Sequence, residues 1–125
     1  MGYLIVFLGG GLGAALRHGV NLGAARLLGT GFPYGTLTVN VLGSFLIGLI
    51  AGLDASARIG LTPGARSFLM IGVMGGFTTF SSFSLQTLQR LHDGDWLRAG
   101  ANIALSVVLC LGGVALGYWL ARFAD

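Results

Sequence analysis

The chain contains no lysine and no glutamate. Its charge rests on seven arginines and four aspartates, 9% of 125 residues, where an ordinary soluble domain carries roughly a quarter. An ordinary wet surface is therefore excluded. The aspartates, Asp54, Asp93, Asp95 and Asp125, all fall in turns or at the C-terminus. No carboxylate is left inside an apolar stretch to relay protons across a bilayer. His18 and His92 have no acidic partner within such a stretch, and His92, beside Asp93, is expected at a solvated surface. An acid, base and nucleophile cluster is missing and no enzyme is expected. The one cysteine, Cys110, lies in an apolar run, which rules out an internal disulfide or a cysteine metal cluster. The formal charge of +3 comes from scattered arginines with no basic run, so nucleic acid is not an expected partner. Met1-Gly2-Tyr3 has no basic leader, and a cleaved signal peptide is not expected.

What the chain does have is apolar length and glycine. Hydrophobic residues make up 54% of it, and there are 23 glycines. Glycine weakens a helix in water, yet it lets helices touch closely in a membrane. A bilayer core of about 30 Å needs about 20 apolar residues wound as a helix. Leu27 to Leu53, Ser67 to Gln89 and Ala99 to Ala121 carry no charge, and Leu4 to Leu16 is apolar until Arg17 and His18 interrupt it. This predicts a single all-α transmembrane domain over 1–125, with spans at about 3–26, 34–54, 67–89 and 98–121. Turn chemistry separates them: Gly29-Thr30-Gly31-Phe32-Pro33, the Asp54 to Arg66 segment with Pro63-Gly64, and Asp93-Gly94-Asp95. Tyr3, Tyr34, Trp96, Tyr118 and Trp119 fall near span ends, as interfacial aromatics do. Short loops predict antiparallel neighbours. No internal repeat and no soluble domain is evident.

Orientation normally follows the side richer in Lys and Arg. Here Arg58, Arg66 and Arg122, with Asp54 and Asp125, share one side. Arg26, Arg90 and Arg98, with Asp93 and Asp95, share the other. The sides balance. Either the chain inserts both ways and pairs head to tail, or a single arginine or some further factor decides.

The polar groups inside the spans fall at helical spacing. Thr36, Asn40 and Ser44 form one i, i+4, i+8 stripe, and Asn102, Ser106 and Cys110 form another, each on one helix face. Their hydroxyl and amide hydrogens are donors of the kind an anion needs on leaving water. The same groups can instead bond across helices or to their own backbone. The two stripes together favour a lined pathway and a small anion as the ion carried. Arg17 either snorkels to the interface or raises the potential for an anion, with Asn21 one turn on along the same face. The paired glycines and threonines of Gly75-Gly76-Phe77-Thr78-Thr79 invite a break in the third span, where freed carbonyls can bind a cation. The alternative is that the glycines only permit tight packing. Phe80 and Phe83 share a face and can offer positive ring edges to an anion, or simply meet lipid or core. Each span carries a Gly-x-x-x-Gly pair: Gly9/Gly13, Gly48/Gly52, Gly72/Gly76 and Gly113/Gly117, which supports close packing.

Three pieces of the chain, in this order, resemble the Fluc or CrcB family of fluoride channels: 9–17 (GGGLGAALR), 35–40 (GTLTVN) and 75–84 (GGFTTFSSFS). The last is the most specific. The resemblance covers nearly the whole chain. It implies passive fluoride export that relieves fluoride toxicity, from a multi-pass protein of the cell membrane. It implies an antiparallel, dual-topology homodimer with its third helix broken and two narrow pores lined by both subunits. Phe80 and Phe83 match the phenylalanines whose ring edges meet fluoride, and Asn40 the pore asparagine. Ser81 and the Thr78-Thr79 pair match polar residues near the break, and Arg17 an arginine near the pore entrance. A structural sodium ion on the two-fold axis is implied, held by the backbone carbonyls of Gly75 and Thr78 from each subunit. Asn102 stands where many members carry tyrosine, one turn before Ser106, and is expected to supply a donor in its place. Cys110 replaces a second serine. Two rival functions remain at this point, a small proton-coupled exporter and a non-conducting membrane assembly subunit.

Overall fold

The computed structural model describes residues 2–123. Asp125, counted above with the charges of one side, lies outside the described residues, as do Met1 and Ala124. Five helices make four crossings: α1 (Gly2–Leu28), α2 (Tyr34–Ala55), α3 (63–77), α4 (Phe80–His92) and α5 (Trp96–Phe123). Helices α3 and α4 together form the third crossing, Pro63–His92. The described residues contain no strand. Each crossing is long and apolar enough to traverse a membrane. The shortest, α2, has 22 residues, or about 33 Å at 1.5 Å per residue.

Local chemistry sets the ends. Thr62 opens α3, its hydroxyl accepting from the Ala65 amide at 3.1 Å, with Pro63 at the first helical position, where its missing N–H costs nothing. Ion pairs gather at helix ends. Asp54 at the end of α2 meets Arg66 of α3 at 2.7 Å, and Arg98 meets Asp95 at 3.1 Å. The stretch Ser67–Met74 within α3 is wound as a π-helix.

Packing follows the glycines. Helix α1 lies along α3, and α2 along α5. At the first contact, a Cβ on Gly72 would come within 2.9 Å of the Gly9 Cα, while Gly13 faces Val73 and Phe77, and Gly76 faces the Gly10 backbone. At the second, Gly48 faces Val114, Gly52 faces Tyr118 and Ala121, and Gly117 faces Phe45 and Leu49. The four Gly-x-x-x-Gly pairs thus fall in two helix contacts, though only Gly9 and Gly72 meet glycine to glycine. In lipid, where apolar side chains gain little by hiding from the solvent, such close backbone approach is the main source of helix association. Large side chains accordingly face outward, among them Leu4, Phe7, Leu105 and Val108, and the buried residues are few and mostly small.

The third span breaks, but not at its glycines. Gly75 is helical, with φ −63° and ψ −37°. The chain leaves the helix at Thr78 (φ −87°, ψ 159°) and Thr79 (φ −154°, ψ 115°). These β-branched residues suit an extended backbone. The paired glycines serve packing instead.

Candidate functional site at the broken span

Breaking a helix inside a membrane strands backbone groups that water cannot reach. Asn40 of α2 resolves part of this. Its Nδ2 donates to the Thr79 carbonyl at 3.0 Å, and its Oδ1 accepts from the Thr79 amide at 2.7 Å. One side chain thus imitates a paired strand across the break. Because an amide N–H must donate, this pair also fixes which way the Asn40 amide faces. One Nδ2 hydrogen remains uncommitted. The Thr79 hydroxyl caps α4, accepting from the Ser82 amide at 3.2 Å and lying 3.3 Å from Ser81 Oγ.

The break leaves the carbonyls of residues 75 to 78 without their helical donors, two of them through these bonds. In an unbroken helix the Thr79 amide would close on Gly75 and the Ser82 amide on Thr78. Both amides are taken, by Asn40 and by Thr79 Oγ1. The carbonyls of Gly75 and Thr78 lose their helical donors at mid-span. Gly75 is exposed. Hard cations prefer such oxygen ligands. Among the described residues no three histidine, cysteine or acidic side chains come together to hold a metal ion.

The break lies on an open cleft of about 420 Å³. Asn40 and Ser44 line it from α2, Gly75 from α3, Phe80 and Phe83 from α4, and Ser106 and Cys110 from α5, with Thr78 and Thr79 between α3 and α4. The Phe80 and Phe83 ring centroids are 5.2 Å apart at 44°. Phe83 is buried, whereas Phe80 is 77% exposed, open to whatever covers this face.

The two polar stripes each split. Asn40 and Ser44 reach the cleft, but Thr36 lines a second cavity toward the end of the bundle. Ser106 and Cys110 reach the cleft, but Asn102 does not. Asn102 is fully buried. It donates to Thr87 Oγ1 at 3.0 Å and accepts from Ser106 Oγ at 3.3 Å, while Thr87 donates to the Phe83 carbonyl at 2.8 Å. Buried away from the cleft wall, Asn102 gives one amide hydrogen to Thr87 and accepts from Ser106, so it bears on the cleft through Ser106. Arg17 is half-buried and lines neither cavity. Ser81 is exposed and sits beside Thr79 rather than on the cleft wall. Thr87, which joins α4 to α5, had no signal in the sequence beyond being polar within a span.

An all-helical multi-pass membrane protein with donors and aromatic rings gathered at a broken span has the makings of an ion pathway. The chain belongs to the CrcB family: residues 4–118 match the family model described as CrcB-like protein, Camphor Resistance (CrcB). Relatives named fluoride-specific ion channel FluC resemble it along nearly their whole length. The Opitutus terrae protein is 54% identical over 117 residues, covering 93% of this chain and 89% of that protein. The Methylocella silvestris protein is 52% identical over 122 residues, covering 97% and 93%. The Hyphomonas neptunium protein is 49% identical over 121 residues, covering 97% and 95%.

Proposed function

We propose that this protein is a passive, fluoride-selective channel through which fluoride leaves the cell, relieving its toxicity. The observation that carries the reading is the Asn40 clamp on the broken span. It sets a neutral donor at the cleft that Phe80 and Phe83 also line, and among the described residues no charged one lines that cleft. A small anion that sheds water needs such donors. The free Asn40 amide hydrogen supplies one, and the edges of Phe80 and Phe83 supply partial positive charge without a trapping cation. Thr79 and Ser81 hold the break, and Asn102 orients Ser106 along the wall; Arg17, away from both cavities, would act on the ion only through its long-range potential. The names of the FluC relatives support the same ion. No catalytic step or energy source is needed.

The proposed working unit is an antiparallel, dual-topology homodimer in the cell membrane. An exposed glycine with a free carbonyl at mid-span is not stable against lipid, and the exposed Phe80 lies on the same open cleft. A second copy covering this face accounts for both, and the balanced arginines permit it. The carbonyls of Gly75 and Thr78 from two copies would hold a structural sodium ion, which would supply fixed positive charge near the break.

The test is fluoride efflux from liposomes containing only the purified protein, read with a fluoride electrode and with no pH gradient. Fast release of fluoride with chloride retained is expected. Release that requires a pH gradient would indicate a proton-coupled exporter. No release from folded protein would leave an assembly subunit as the better account.

A further inference from the structure

Backbone that leaves a helix at mid-membrane must be held by something else. The peptide unit joining Thr78 to Thr79 is trans, so its N–H and C=O point in opposite directions. The N–H, that of Thr79, points at α2, where Asn40 Oδ1 accepts it at 2.7 Å. The Thr78 carbonyl of the same unit therefore points away from α2. One hydrogen bond leaves such a plane free to swing, and a second hold is needed to aim the carbonyl.

Gly43 supplies that hold. It lies three residues after Asn40, hence next to it on the surface of α2, and it is buried. A Cβ on Gly43 would overlap the Thr78 Cγ2 methyl and come within 3.3 Å of Phe77 Cδ2. The missing side chain is thus a notch, walled by the buried Phe77 and filled by the Thr78 methyl. The other branch of Thr78 is held as well, since its hydroxyl donates to the Met74 carbonyl at 3.0 Å. A β-branched side chain has few choices at χ1. With its methyl in the notch and its hydroxyl on Met74, Thr78 keeps one rotamer on an extended backbone, φ −87° and ψ 159°. Glycine at 43 is not there for conformational freedom, because it sits within α2, where it is a poor helix former. Space is what it provides.

We infer that Gly43 is a positioning residue for the cation site at the break. Asn40 holds the N–H end of the Thr78–Thr79 peptide and the Gly43 notch holds its Thr78 end. Together they aim the freed Thr78 carbonyl. Hard cations take oxygen ligands within a narrow range of distance, so a small displacement of this carbonyl weakens the site. The inference rests on the structural sodium ion proposed above and deepens it, by naming a residue that meets only the side chain of a ligand.

The experiment is a methyl swap. Purified protein in detergent is unfolded by heat over a range of sodium chloride, with N-methylglucamine chloride keeping ionic strength constant. A bound ion raises the unfolding midpoint, and the sodium concentration at half of that rise is read without any flux. Gly43→Ala sets two methyls in one space and should raise this concentration about tenfold, the scale of an overpacked contact. Thr78→Ser keeps the hydroxyl but empties the notch, and should raise it about fourfold, the scale of one lost methyl. Gly43→Ala combined with Thr78→Ser returns a single methyl to the space and should come within about twofold of wild type. Single variants that lose thermal stability yet keep the wild-type sodium concentration would mean that the notch only packs helices, and the inference falls. A double variant no better than Gly43→Ala also overturns it, because the two methyls then do not share one space. Thr78→Ser decides the matter if Gly43→Ala does not fold. A wild-type midpoint indifferent to sodium is a different failure: it removes the proposed ion itself, and the inference with it, whatever the variants do.

Discussion

A single asparagine amide bridges α2 to the break, and the Asn40 substitutions separate its two jobs. Asn40→Ala strips the Thr79 amide and carbonyl of their partners, at a cost of roughly 1–3 kcal/mol for each group left unpaired. It should lower both thermal stability in detergent and fluoride efflux. Asn40→Asp keeps an acceptor for the Thr79 amide, but sets oxygen against the Thr79 carbonyl and charge against an anion. Its efflux should fall further than that of Asn40→Ala even in protein that still folds. Asn102→Leu acts at one remove, through Ser106 and Thr87, so its efflux should fall less than that of Asn40→Ala. Equal losses would mean that Asn102 touches the ion path directly.

Between helices, the decisive quantity is how near the backbones come. Gly76 faces the Gly10 backbone, while a Cβ at Gly23 would meet nothing within 4 Å. Gly76→Val should abolish the monodisperse peak on size-exclusion chromatography. Gly23→Ala should leave it intact and add up to about 1 kcal/mol of helix propensity. The four spans were legible in the sequence because 20 apolar residues announce themselves. The mating of the glycine pairs was not, because spacing says that a helix can be approached and not by which neighbour. The break lies within the expected Gly75 to Thr79 segment, at Thr78-Thr79; which of those residues leaves the helix depends on Asn40, 39 residues away. The Asn102 contact with Thr87 likewise appears only once α4 and α5 are docked.

At the scale of the whole molecule, the cleft and the exposed Phe80 are what the proposed second copy would cover, and the balanced arginines are what would permit its opposite orientation. The prediction concerns insertion. In a Cys110→Ser background, His92→Cys places a lone thiol at an exposed end of α4. A membrane-impermeant thiol reagent applied to intact cells should label about half of the molecules if balanced arginines leave orientation undecided. Labelling of all or none would mean a single orientation, and the antiparallel dimer would have to be abandoned.

The clamp also bears on how the protein is made. Asn40 precedes Thr79 in the chain, so the ribosome delivers α2 before the segment it will break. Until α2 is alongside, Pro63–His92 has no partner for the stranded Thr79 amide and carbonyl, and in lipid its cheapest form is one straight helix. The third span is therefore expected to enter the bilayer intact and to bend only when α2 docks against it. Maturation, rather than insertion, opens the cleft, and a nascent chain lacking α2 would cross the membrane without ever forming one.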